Sequence, residues 1–402
     1  MLRKSLAVIA AFSSVSYAEN IISEAFTGLG LTSLASAAAT LNQSSAGQAL
    51  LATVLSGGNY SILAPNNDAF YQTSDSTLLI DTLAYHVLRG SFSSSNSSDL
   101  NFTSATSPNH TIGRSMLNDS AYVNLEGNAS QVMAWTSENN EVIFLNQASK
   151  ISVSNATRIN GTGIVVYVID GILSIPSSMS SVLANSTNTS SIAGLLNSTM
   201  IPSTNGTNDT IGNILDGQKG ITLFAPSDNA FSAVASSLPV LEGNLTAFTT
   251  VIQNHIINGS SVYSSEIVNG VNMTSAAGES LTFTTNSSGT YVTSGSTTAK
   301  MISSDIISMN GVVHVIDNVF LNIDSDSSAA SSAYNSATSA ATKLLTEVGV
   351  ISATATAASS SSSSSSGSGT SNGADALTIG GKYYTASLAA VISFVIVGAA
   401  LI

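Results

Sequence analysis

Two stretches of the chain are apolar almost without a break, "GIVVYVIDGIL" at 163–173 and "GVVHVIDNVFL" at 311–321. Successive strand side chains point to opposite faces, so a run without polar alternation predicts a central strand covered on both sides. Earlier, "SILAPNNDAF" (61–70) and "TLFAPSDNAF" (222–231) each carry a short apolar strand pattern into a proline. Proline cannot donate to a sheet ladder, so each strand stops there. In the later copy Ser227 has the side chain to cap a helix, and Asp228 puts a negative charge in its first turn. Phe231 then falls where it can pack back on Pro226, as a hydrophobic staple does. In the earlier copy Asn66 caps and Phe70 staples beside Pro65. Each motif predicts a strand-to-helix corner that determines the fold.

The pattern repeats around these corners. Helical periodicity precedes both, in "IISEAFTGLGLTSLASAAATL" (21–41) and "SIAGLLNSTM" (191–200). "LAYHVLRGSF" (83–92) is echoed by "VIQNHIINGSSV" (251–262), and the apolar runs close each copy. Matching stretches in the same order predict a duplicated domain, at 19–175 and 192–323. The Ser/Thr/Asn-rich residues 176–191 between them read as a linker.

These boxes resemble the fasciclin domain, twice. The second copy carries both family boxes in full, at 224–231 and 310–317, whereas Leu63 and Tyr167 replace the family's Phe and His in the first. The resemblance implies an α+β fold, each domain a twisted β-sheet wedge with helices packed at one edge. It also implies adhesive contacts at a Tyr-His pair, Tyr85-His86 here, and at an Asp-Ile segment, Asp305-Ile306 here. The second copy has Asn254-His255 in place of Tyr-His. On the residues alone, His86 and His255 serve equally to shape a helix-to-strand transition. His314 and Asp317 lie three apart on a strand and face opposite ways, so they cannot chelate one ion. His314 is expected to be a satisfied core group, and Asp170 and Asp317 to accept backbone hydrogen bonds at a turn.

Charged residues are only 8% of the 402, against about 25% in typical soluble domains, and the net charge is −13. An acidic chain without basic runs is not a nucleic-acid binder. With no cysteine there is no disulfide or thiolate chemistry. "MLRKSLAVIAAFSSVSYAEN" reads as a secretory signal peptide, residues 1–18, with a basic start and a Ser16-Tyr17-Ala18 cleavage site. The last residues, 385–402, are apolar with no basic residue after them. Upstream, Asn372-Gly373-Ala374 and a short polar spacer complete a glycosylphosphatidylinositol (GPI) attachment signal over 372–402. Asn372 is the expected lipid-bearing residue, with Ser371 and Gly373 as competitors and a tail anchor as the alternative. Residues 324–371, including Ser359 to Ser366, read as a disordered, O-glycosylated stalk.

On a secretory route, N-glycans can supply the hydration that the missing charges do not. Sequons stand at Asn42, Asn59, Asn96, Asn101, Asn109, Asn118, Asn128, Asn155 and Asn160, and at Asn185, Asn188, Asn197, Asn205, Asn208, Asn244, Asn258, Asn272 and Asn286.

Catalytic patterns are absent. No H-E-x-x-H, P-loop or aspartic-protease triplet occurs, and the single G-x-S-x-G (369–373) lies in the stalk, not between a strand and a helix. No catalytic, metal or cofactor residues are assigned. The expected function is non-enzymatic cell-surface adhesion or recognition, through multivalent contacts of two domains with surface or wall glycoconjugates or proteins. The architecture is similar to that of fungal surface proteins. A wall-organising spacer and a carrier of a small lipid-like ligand are the alternatives.

Overall fold

The computed structural model describes residues 22–344 except 71–75, 94–99, 203–206, 238, 240 and 242. The signal segment, the sequons Asn96 and Asn205, and the attachment region with Ser371, Asn372 and Gly373 lie outside the described residues.

In the first domain, β1 (Asn59–Pro65) runs parallel to β7 (Gly163–Ile169), with β2 (Val87–Arg89) and β6 (Val153–Arg158) on either flank. As their composition demands, the central strands are dry on both faces: β7 is buried from Ile164 to Ile169. The helical residues 22–28, α1 (Thr32–Leu41), α2 (Ser45–Leu55) and α3 (Ser76–Tyr85) share one core with this sheet, through Phe26, Leu34, Leu51, Leu83 and Leu63. Gly47 permits α2 to cross α1, because a Cβ there would lie 2.1 Å from the Leu41 carbonyl oxygen. A separate sheet, β3 (Thr111–Arg114), β4 (Val132–Glu138) and β5 (Glu141–Phe144), completes the domain.

The second domain repeats the plan with one difference. Seven of its strands form one sheet in the order β11 (Ile256–Asn258), β10 (Ile221–Pro226), β16 (Gly311–Ile316), β15 (Thr297–Ser308), β14 (Gly289–Ser294), β13 (Ser280–Asn286) and β12 (Asn272–Thr274), while helices α5 (Ser190–Ser198) and α6 (Ile211–Gly217) flank a separate two-stranded ladder of β8 (Met200–Pro202) and β9 (Asn208–Thr210). A tight turn at Gly295, φ +56°, lets β15 fold straight back on β14. In the first domain the longer link 145–152 breaks that ladder and leaves β5 and β6 unpaired with each other.

The corners form as the motif requires. The Ser227 hydroxyl accepts the Ala230 N–H at the start of α7 (Asp228–Ala233), and Asn66 Oδ1 accepts that of Ala69. The first-copy corner is a turn at 67–69, not a helix. The two departures of the first copy prove to be one packing event. Leu63 pairs in register with Tyr167, as Phe224 pairs with His314. In the second domain the His314 ring stacks on Phe224 at 5.6 Å; in the first, Tyr167 turns edge-on to Phe102 at 4.7 Å.

Two expectations are corrected. The residues read as a linker contain α4 (Met179–Asn185), capped by Ser178 and belonging to the second domain's core through Met179 and Leu183. Met179 and Leu183 stand one helical turn apart, so a short helix can bury both despite its polar setting. The start of the expected stalk is also ordered. Asp326 Oδ1 accepts the N–H groups of Ser328 and Ala329 and opens α9 (Ser327–Leu344), whose Ala330, Ala333, Ala337 and Ala341 are buried. These alanines line one helix face, which lets backbones approach closely. Gly259 of the second domain packs under Tyr334 and Ala337, and Gly127 of the first lies against Ala341. Helix α9 therefore spans the junction between the domains.

Candidate functional site

The two histidines of the echoed stretches do one job. His86 follows α3; its Nε2 accepts the Leu173 N–H at 3.0 Å, so Nδ1 carries the proton donated to the Thr82 carbonyl at 2.7 Å. His255 follows α8 (Leu245–Asn254) and repeats this, accepting from Phe320 N–H at 3.0 Å and donating to the Val251 carbonyl at 2.7 Å. Each neutral ring ties a helix end to the chain leaving the central strand. Burial pushes both imidazoles down to about 4, against the upward pull of the backbone bond.

The proposed adhesive residues are therefore interior. Tyr85, His86, His255 and Asp305 are buried, and Ile306 is half-buried against the second domain's core. Tyr85 donates its hydroxyl to the Val132 carbonyl. The folded domains offer no partner the side chains of these four residues. The expectation of contact through them is corrected by their burial.

His314 is a satisfied core group. Its Nδ1 accepts the Asp305 N–H at 3.3 Å and its Nε2 donates to the Val262 carbonyl at 2.8 Å. Asp170 and Asp317 accept the backbone N–H groups of Ser152 and Lys300 at 2.6 and 2.7 Å, so each pins the neighbouring strand where its pairing with the central strand begins.

Asp305 joins a wider junction that the sequence did not announce. Ile112, Val132 and Ala134 of the first domain form one apolar cluster with Tyr263, Ile307 and Val312 of the second. Around it, Asn124 N–H donates to the Met309 carbonyl at 2.7 Å, and Gln131 Nε2 to the Ser308 carbonyl at 3.1 Å. Glu126 accepts both the N–H and the hydroxyl of Ser261. Asn146 Nδ2 donates to the Asp305 carbonyl at 2.9 Å. Glu266 keeps an exposed face, yet the packed surroundings of its carboxyl push it up to about 7 by desolvation, against the pull of the Tyr263 backbone bond, with Glu126 and Asp305 adding to the rise and Arg114 opposing it. No local signal marks this junction, because its contacts join residues of one domain to residues of the other. Among the described residues there is no group of three or more His, Cys, Asp or Glu able to hold a metal ion.

A family model, the fasciclin domain, matches residues 33–176 and 193–322. The chain belongs to the fasciclin domain family. The chain is 27% identical over 285 residues to a fasciclin-like arabinogalactan protein of Arthroderma benhamiae, covering 67% of this chain and 60% of that one. It is 31% identical over 110 residues to protein sll1483 of Synechocystis, covering 27% and 58%. The matches thus span less than two thirds of either relative. Among solved structures, a FAS1 domain pair from the insect cell adhesion molecule fasciclin I aligns with 15% identity and a TM-score of 0.31, over 68% of this chain and 92% of that one.

The sequons of the fasciclin pair fall mostly on its surface. Of those described, Asn258 is buried, Asn42 is half-buried and the rest are exposed. Asn258 is 3% exposed on β11, and neither polar atom of its side chain has a hydrogen-bond partner. Gly259, next to it, is covered by α9. An enclosed Asn258 side chain has no room for a glycan, which corrects the expectation for this sequon. No helix among the described residues is long and apolar enough to cross a membrane.

Proposed function

We propose that this protein is a non-enzymatic adhesion or recognition glycoprotein of the cell surface, secreted and held there by a GPI lipid at Asn372. The observation that carries the reading is the junction itself: two fasciclin domains joined through a buried cluster and strapped by α9 act as one head. The named relative, a fasciclin-like arabinogalactan protein, supports the surface role. Contacts are made by the glycan-bearing exterior, because the Tyr-His and Asp-Ile residues are enclosed. Many weak contacts become strong when many heads share one membrane. Phosphatidylinositol-specific phospholipase should release the protein from cells, and the released protein should bind intact cells or wall. Retention on the membrane rejects the anchor, and failure to bind either surface rejects adhesion.

A second reading, carriage of a small lipid-like ligand, is favoured by one feature. A groove of about 800 Å³ is polar, but another of about 630 Å³ beside α3 is lined mainly by apolar groups, among them Phe70, Leu79, Leu83 and Ile175. Solvent extraction of the purified protein followed by mass spectrometry distinguishes a carrier from an empty groove.

A further inference from the structure

The polar cleft of about 800 Å³ lies where the first domain departs from the second. Its walls are β5, through Glu141 and Val142, and β6, through Val153 to Ala156. In the second domain the equivalent strands, β14 and β15, are hydrogen-bonded along Tyr291↔Lys300 to Ser294↔Thr297. In the first, three anchors hold the link 145–152 out of the ladder. Asn146 is drawn to Asp305 of the other domain, Gln147 Oε1 accepts the Ser174 N–H at 2.8 Å, and Ile151 is buried against Gly171. The link thus keeps β5 and β6 apart, and among the described residues no strand pairs with the edge that either presents to the cleft. Free edges invite strands from other chains.

Two sequons, Asn101 and Asn155, line this cleft, and both are exposed. Asn155 sits on β6 itself. Its Oδ1 accepts the Ala156 N–H at 2.8 Å, which leaves Nδ2 as the free end of the amide. That bond survives glycosylation, since sugar attaches only at Nδ2. Where the second domain pairs the same strands, Ser303 faces Val315 as Asn155 faces Val168, and it carries no sequon.

We infer that N-glycans on Asn101 and Asn155 fill the cleft and take the place of the missing strand pairing, so that β5 and β6 cannot join the sheets of other copies. This rests on the secretory reading proposed above. Transfer forms the bond from Nδ2 to the sugar's anomeric carbon and breaks that carbon's bond to a lipid pyrophosphate donor. The pyrophosphate leaves with the electron pair and Nδ2 gives up one proton.

The test is glycopeptide mapping of the secreted full chain together with light scattering of two double variants, N101Q/N155Q and N185Q/N188Q. Both sites should carry sugar. N101Q/N155Q should shift from monomer to dimer or larger species, while N185Q/N188Q, which loses two exposed sequons that do not line the cleft, should stay monomeric. If N101Q/N155Q is not secreted, enzymatic removal of N-glycans from the folded protein replaces it, and hydrogen exchange should then show β5 and β6 protected on association. Bare Asn101 and Asn155 with other sequons occupied overturn this inference alone, as does a double variant or a deglycosylated protein that remains monomeric. Sugar on no sequon at all overturns the secretory reading as well.

Discussion

His110 of the first fasciclin domain and Asp305 of the second meet at 2.6 Å, with the Asp305 side chain fully enclosed. The same carboxylate also accepts the N–H of Ser264 at 2.8 Å and its hydroxyl. Burial pushes the Asp305 carboxyl up, but the bond from His110, the field of His314 and the Ser264 bonds together hold it below its ordinary range. The residue that resemblance marks for outside contact is spent on holding the domains together.

Truncating one member of a buried, hydrogen-bonded pair leaves the other unpaired, so Asp305→Ala should cost about 3 to 5 kcal/mol. A depressed carboxylate stabilises the folded form above its unfolded pKa, and that contribution is lost as pH falls through the folded value. Unfolding by denaturant at pH 7 and in the acid range below about 4 should show a large gap between wild type and variant at neutrality that narrows on acidification. Equal stability at pH 7 would sink the assignment.

Glu266 carries the opposite dependence. Its pKa is raised from 4.5 to about 7, so the fold favours the protonated acid. Its contribution is complete below 4.5 and is lost as pH rises to about 7, weakened by solvent screening because the residue is exposed. Glu266→Gln keeps an oxygen for the Tyr263 N–H, which Glu266 Oε2 accepts at 2.9 Å. Because Glu266 is exposed and solvent screens the effect, the variant should be more stable than wild type by about 1 kcal/mol or less at pH 8, with the advantage vanishing near pH 4.5. Parallel stability curves across that range would refute it.

The paired histidines predict acid sensitivity. Each imidazole falls from 6.5 to about 4 in the fold, so protonation favours the unfolded chain and stability is lost as pH drops from 6.5 toward 4. At pH 5 each histidine should cost about 2 kcal/mol. His255→Gln, which retains an acceptor for the Phe320 N–H, should remove the second domain's share. Thermal unfolding of wild type and variant at pH 7 and pH 5 measures the difference.

Asn258 is a buried amide without partners, and such a group costs stability. Asn258→Val, a β-branched replacement on a strand, should raise stability by about 1 kcal/mol. Glycopeptide mapping should find Asn258 bare in molecules whose α9 resists protease. Ala337→Glu, which places a charge on the buried face of α9, should speed cleavage within 327–344 by about tenfold or more. Unchanged cleavage would show that α9 is not docked.

Much of the fold was legible because its instructions are local. A proline ends β10, a serine caps the next helix, and a phenylalanine packs back, all within ten adjoining residues. The dry strands β7 and β16 announced themselves by unbroken apolar composition, and repetition of the whole series disclosed the duplication. The roles of Asp170, Asp317 and His314 could also be anticipated, since a strand's period of two fixes which way each side chain faces.

What the chain alone could not disclose depends on partners distant in sequence. A stretch of Ser and Ala is compatible with a solvated stalk and with a docked helix; Gly127 and Gly259, which give α9 a surface to lie on, decide between them. The linker became α4 only because the second domain left a pocket for Met179 and Leu183. Asp305 reads the same whether it faces solvent or a neighbour, and only the apposition of two domains encloses it. The sequence by itself determined two copies of one module, through short-range caps, turns and periodicity. The tertiary structure decided which surfaces those copies bury against each other, because burial is a property of the assembled chain and no single segment encodes it.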